Sequence, residues 1–252
     1  MDSLHYSILF FTALVAGFVD AIAGGGGLIT VPVLLSIGLP PTEALGTNKL
    51  QATFGSGSAT WHFSRAGLIH LDECWLGIMW TAFGATGGTL AAQVVHETLL
   101  KKTIPFVLVA VALYTLFKPT LGAADIHPRM PARRFYLLAG LGIGFYDGFI
   151  GPGTGSFWAM AFMLGLGFNL TKATAHTKAM NFTSNVISLI VFLVGHNVHF
   201  KAGLLMGMGQ WLGARLGSGM VIKRGIGLVR PLFITMVLAV TAKLIYDNYF
   251  RH

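Results

Sequence analysis

Gly17-Phe18-Val19-Asp20 leads through Ala21-Ile22-Ala23 into Gly24-Gly25-Gly26-Gly27, and the pattern returns at Gly144-Phe145-Tyr146-Asp147, followed by Gly151-Pro152-Gly153-Thr154-Gly155. The offset is 127. Farther along, Thr42-Glu43-Ala44 with Lys49 matches Thr171-Lys172-Ala173 with Lys178, now at an offset of 129. At that offset His70 falls on His199, and Gly84-Ala85 with Gly88 falls on Gly213-Ala214 with Gly217. Two residues are therefore inserted in the second copy, between the counterparts of Thr30 and Ile37. Polar residues shared at a shared spacing are not what apolar composition alone produces. The chain reads as a single membrane domain, 1–252, made of two related halves, 5–118 and 132–250, with a linker at 119–131.

The membrane reading comes from composition. Of 252 residues, 54% are hydrophobic and 10% charged, with a mean hydropathy of +0.69. A soluble domain carries about 25% charged residues to solvate its surface. Apolar stretches at 8–23, 75–95, 103–117 and 228–244 alternate with short charged clusters, and about 20 such residues span a hydrocarbon core. The net charge of +8 sits mainly at segment ends and in loops, where topology signals and anionic headgroups place it. No aromatic-interleaved basic stripe points to nucleic acid. The single cysteine, Cys74, excludes an intrachain disulfide and reads as a packing residue near a helix start. Residues 8–18 resemble a signal-peptide core, but Asp2 stands where basic residues belong, and the motif recurs in mid-chain. The segment is expected to be retained structure.

Each half is expected to contain an apolar arm ending in the Gly-rich break and then a shorter arm of about 11 residues. A helix with a polar face, a Gly-studded helix and a final apolar helix follow. The fold class is all-α polytopic, with a Gly-broken or re-entrant first segment and three further transmembrane helices per half. A short arm of about 11 residues covers about 16 Å, half a bilayer core. If both broken segments return, Arg65, Lys118, Arg129, Arg133, Arg134, Lys172, Lys223, Arg224 and Arg230 share one side, against Lys101, Lys102, Lys201 and Arg251 on the other. If they cross, the same residues split nearly evenly. The positive-inside rule favours the hairpin, which makes the repeats inverted. A broken but crossing helix is the alternative.

The polar helices carry the candidate site. Thr171, Thr174, Lys178, Asn181, Asn185 and Ser188 lie in one arc at helical spacing, as do Thr42, Lys49, Thr53, Ser56 and Thr60, with Asn48 at the margin. A lysine at the bilayer centre costs about 2.5–3.5 kcal/mol, so the stripe is expected to line a path for an anion. The competing reading is that both lysines snorkel or pair with Asp20 and Asp147. The glycine breaks would expose two helix N-termini, whose free N–H groups and positive dipole ends suit an anion. The substrate-binding candidates are Lys49, Lys178, Asn48, Thr177, Asn181, Asn185, Gly26, Gly27, Gly153, Thr154, Gly155 and Ser156. Asp20 and Asp147, ionisable residues inside apolar segments, are candidate proton carriers. His176 is expected to project away from the Lys178 face. Arg215 reads first as a helix-packing ion pair and second as an anion clamp. The glycine spacings around Gly84 and Gly213 read as small-residue helix packing. No metal pattern and no cofactor motif is found, and no Gly-Lys-Ser/Thr follows the glycine runs.

With these residues in view, the chain resembles the TauE/SafE family of sulfite exporters, also called toluene sulfonate uptake permeases. The resemblance rests on 17–27, on Ala44 with Thr47-Asn48-Lys49, on 144–157 and on Ala175 with Lys178 and Asn181, and runs over nearly the whole chain. It implies a multi-pass protein of the bacterial inner membrane that transports sulfite, organosulfonates or related anions, without fixing direction. The expected partners are such a small inorganic or organosulfonate anion and membrane lipids, with a homodimer as one assembly open to the chain. Lacking a nucleotide-binding motif, the protein reads as a secondary transporter, with a passive anion channel as the competing reading. No Gly-x-Ser-x-Gly, His-Glu-x-x-His or paired catalytic carboxylates point to an enzyme.

Overall fold

The computed structural model describes residues 3–117 and 124–224. The expected final apolar helix at 228–244, with Arg230 and Arg251, lies outside the described residues, as does Lys118. The described residues are all-helical apart from connections: α1 (Ser3–Ala23), α2 (Gly26–Ser36), α3 (Pro41–Arg65), α4 (Trp75–Val94), α5 (Glu97–Phe117), α6 (Ala132–Phe149), α7 (Thr154–Gly165), α8 (Leu170–Val194) and α9 (Phe200–Arg224). A 3-10 turn at Leu71–Cys74 leads into α4. By length and composition, two of the described segments, His5–Ala23 and Leu170–Val194, are apolar enough to cross a membrane. The polar arc of α3, the Gly and Thr residues of α4 and the Gly residues of α9 dilute the hydropathy of those helices.

Local sequence sets the boundaries. α3 starts on Pro41, whose missing N–H is harmless in a first turn. α8 is capped by Asn169, whose side chain accepts from Lys172 N–H. The breaks fall at the glycines. Gly24, Gly151 and Gly153 hold φ of 77°, 90° and 83°, a left-handed region that other residues rarely enter.

Small residues decide how the helices meet. A Cβ on Gly209, Gly213 or Gly217 would strike the backbone carbonyl of Phe10, Leu14 or Phe18, so α9 lies parallel to α1 with backbones touching. A Cβ on Gly84 or Gly88 would meet the carbonyl of Leu141 or Phe145, so α4 runs parallel to α6 in the same way. These two pairs are counterparts under the repeat, and in each the first helix of one half packs on the Gly-studded helix of the other. α3 and α8 run antiparallel: Asn185 bonds Ser56, while a Cβ on Gly46 would strike the Asn197 carbonyl beyond the end of α8. Leu34, near the end of α2, belongs to one buried cluster with Leu9 and Ala13 of α1 and Ala44 of α3.

Candidate functional site

The two glycine breaks meet at the centre of the molecule. A Cβ on Gly24 would collide with the Gly155 backbone, and one on Gly155 with Gly24. Only paired backbones lacking side chains come this close. Ser156 Oγ donates to the Ala23 carbonyl at 2.9 Å, fastening the start of α7 to the end of α1.

Around this crossing the acidic and basic residues pair between halves. Lys49 Nζ on α3 donates to Asp147 Oδ1 on α6 at 2.6 Å. Lys178 Nζ on α8 donates to Asp20 Oδ2 on α1 at 3.0 Å and also to the Asp20 carbonyl. All four residues are held inside the protein, with side-chain exposures of 2% and 5% for the first pair and 0% and 15% for the second. Ser184 Oγ donates to the other oxygen of Asp147. Asp20 instead accepts, on Oδ1, the Gly26 N–H from the first turn of α2 at 3.1 Å. The Asp20 carboxylate is thus an anion held between an ammonium and a helix N-terminus.

A cavity of about 30 Å³ opens beside the pairs, with room for about two waters. Among the expected site residues, Asn48, Asn181, Asn185, Gly27, Gly153, Thr154, Gly155, Asp20 and Asp147 line it. Lys49, Lys178, Gly26, Thr177 and Ser156 are not in its wall. The hydroxyls expected to face an anion have other acceptors: Thr154 Oγ donates to the Gly151 carbonyl at 2.5 Å, Ser156 Oγ to Ala23, and Thr177 Oγ to the Ala173 carbonyl at 2.8 Å. Asn48 Oδ1 accepts from both Thr30 and Gln51. Sequence reasoning missed Gln210 of α9, which also lines the cavity. It stands where the halves differ, since its counterpart is Thr81.

A second cavity, of about 570 Å³, lies between the loop after α3 and the start of α8, lined by Gly67, Leu68, His70, Glu73, Asn169, Thr171, Lys172 and His176. His176 does face away from the central pairs, with Nδ1 on the Lys172 carbonyl and its ring against Phe168. Arg215 is exposed and lies over the Trp211 ring at 5.9 Å. Arg65 over Trp61 and Lys172 over Phe168 repeat this cation–ring pairing, a combination suited to a membrane–water interface.

A bundle with charges paired in its interior beside broken helices is the architecture of a membrane transporter, and comparison with known proteins agrees. The chain belongs to the sulfite exporter TauE/SafE family, whose model matches residues 9–244. It is 48% identical over 246 residues to a probable membrane transporter protein of Haemophilus influenzae, covering 98% of this chain and 96% of the relative. It is 46% identical over 249 residues to the probable membrane transporter protein YfcA of Escherichia coli K12, covering 99% and 93%. A probable membrane transporter protein, ORF9, of a Sinorhizobium species is 47% identical over 241 residues, covering 96% and 92%. No solved structure matches. The protein is a membrane transporter, not an enzyme.

Proposed function

We propose that this chain is a secondary transporter that carries a small sulfur-containing oxyanion, sulfite or an organosulfonate, across the bacterial cytoplasmic membrane through the central site. The observation that carries the reading is Asp20, whose carboxylate lies between Lys178 Nζ and Gly26 N–H. An intramolecular anion occupies donors that suit a substrate oxyanion, and substrate competes with it for them. Adding an anion to a buried neutral Lys–Asp pair leaves a net charge in low dielectric, which is costly. Proton uptake by the aspartate keeps the site neutral, so anion and proton move together. Lys49 with Asp147 repeats the ammonium–carboxylate pair from the other half, with the Ser184 hydroxyl in place of the helix N-terminus, and Asn48, Asn181 and Asn185 add amides at the cavity wall.

The two halves are read as inverted repeats, each opening with a re-entrant hairpin. Support comes from Leu34 clustering with Leu9 and Ala13, which brings α2 back along α1, and from α3 running against α8. The linker then shares a side with the 570 Å³ cavity, because Ile126 N–H donates to Gly167 and Arg129 N–H to Gly165. Arg65, Arg129, Arg133, Arg134 and Lys172 gather there, making it the cytoplasmic side and the cavity its vestibule.

Purified protein in proteoliposomes, offered a panel of anions with and without a pH gradient, tests the reading. Uptake of sulfite or methanesulfonate, enhanced by the gradient, is the expected result. Currents at channel rates that ignore the gradient would replace the transporter with a passive pore.

A further inference from the structure

We propose that Gln210 is a substrate-contacting, specificity-determining residue, whose carboxamide and that of Asn181 together hold oxygen atoms of the transported anion. The inference rests on the reading of the central cavity as the transport site, and adds a residue that the repeat pattern does not reveal.

Gln210 is 2% exposed and Asn181 6%, and both line the central cavity. Gln210 Oε1 and Asn181 Oδ1 are buried without a hydrogen-bond partner. Buried amides in a membrane interior are satisfied by neighbours, water or a ligand, because an unmade bond there forfeits the full desolvation penalty. Gln51 Oε1, Thr60 Oγ1 and Trp158 Nε1 are also unpartnered, but none lines this cavity. Two residues with unpartnered carboxamide oxygens in the wall of one small polar space point to something that occupies it.

Gln210 is also given room to reach that space. A Cβ on Gly55 would collide with the Gln210 side chain, and one on Gly17 with its backbone carbonyl. At the equivalent place in the other half the arrangement differs. Gly144 still packs on the carbonyl of Thr81, but Thr81 Oγ donates to Met180 Sδ at 3.6 Å, and Ser184 stands where Gly55 would be and donates to Asp147. One half thus fills the position with short hydroxyl side chains that have partners. The other leaves a gap and fills it with a long amide whose oxygen has none. A carboxamide presents NH2 donors after rotation about its last bond, and two such groups match an oxyanion carrying more than one acceptor oxygen. The cavity takes the anion between Asn181 and Gln210, with Asp20, the more exposed of the two aspartates, also in its wall.

The test is a sulfite titration of detergent-solubilised full-length protein, read as the rise in thermal midpoint, on wild type, Gln210→Met, Gln210→Glu and Gln93→Met. Gln93 is the contrast, since its amide is engaged with the Val191 carbonyl and Asn197. For Gln210→Met the expected result is an unchanged or higher midpoint without sulfite, because an unpaired polar group has been removed. Its half-maximal sulfite concentration rises at least about tenfold, as for a lost hydrogen bond to a charged group. Gln210→Glu, close in shape, abolishes the response by like-charge repulsion. Gln93→Met lowers the midpoint and keeps the sulfite response. A wild-type sulfite response that Gln210→Met leaves unchanged shows that the amide holds only water and overturns this proposal while sparing the transport reading. A lower midpoint without sulfite in Gln210→Met also overturns it. A wild type that responds to neither sulfite nor methanesulfonate removes both readings together.

Discussion

Lys49 Nζ lies 2.6 Å from Asp147 Oδ1, and each residue belongs to a different half of the chain. Lys178 and Asp20, their repeat counterparts, make the reciprocal pair at 3.0 Å. The halves are therefore bonded through the very residues the repeat duplicates. Removing one member of such a buried pair leaves an uncompensated charge, at a cost of about 3–5 kcal/mol. Lys49→Gln should lower unfolding stability in detergent by an amount in that range, and adding Asp147→Asn should recover most of it. Equal stability in the single and double variants would show that the pair contributes nothing.

Proton coupling has a separate signature. Asp20→Asn and Asp147→Asn should each weaken the response of transport to a pH gradient more than they weaken anion binding. Asp20 should have the larger effect, because its side chain is the more exposed, 15% against 5% for Asp147. A gradient response unchanged in both variants would leave the aspartates as ion-pair partners only.

Much of this site was legible in the sequence. The duplicated Asp, glycine run and lysine marked the centre, and a lysine in mid-stripe required a partner. The sequence left open whether that partner was a carboxylate or an anion, because pairing crosses between halves and depends on α1 meeting α8 and α3 meeting α6. Thr154, Thr177 and Ser156 looked like free donors, yet each found a nearby carbonyl, which spacing along a helix face does not reveal. Gln210 was hidden for the opposite reason: comparing the halves highlights what they share, and it stands where they differ. Arg215 reads in the sequence as a helix-packing ion pair or an anion clamp, and it lies exposed over Trp211.

Thiol chemistry reports on the orientation. Cys74 is fully buried, and burial, then the neighbouring charge of Glu73, pushes its thiol up to about 11. It should react slowly with maleimide in native membranes and faster as pH rises, since the thiolate is the nucleophile. Against that silent background, a cysteine at His127 should label only after the cytoplasmic side is opened, and one at His196 should label in sealed cells. Rapid labelling at His127 from outside would reverse the assigned sidedness.

The glycine crossing should tolerate no side chain. Gly155→Ala places a methyl group into the Gly24 backbone, and Gly24→Ala adds a strained φ of 77°. Both should lower stability by at least about 2 kcal/mol, at the severe end for single substitutions. Gly142→Ala, where a Cβ meets nothing within 4 Å, should be nearly silent in a thermal unfolding series. Equal losses at all three positions would mean that the crossing is looser than described.

The exchange of helices between halves sets a timetable for biosynthesis. Phe10 and Leu14 of α1 rest on Gly209 and Gly213, about 200 residues later in the chain. At about 5–20 residues per second of synthesis, α1 waits roughly 10–40 s for the surface that completes it. Through that interval its small-residue face and Asp20 stand unaccompanied in the insertion machinery or the lipid. The first half cannot mature as a finished unit before the second emerges, and a ribosome stalled after α5 leaves a membrane fragment in which Asp20 and Lys49 both lack the partners they have in the finished protein.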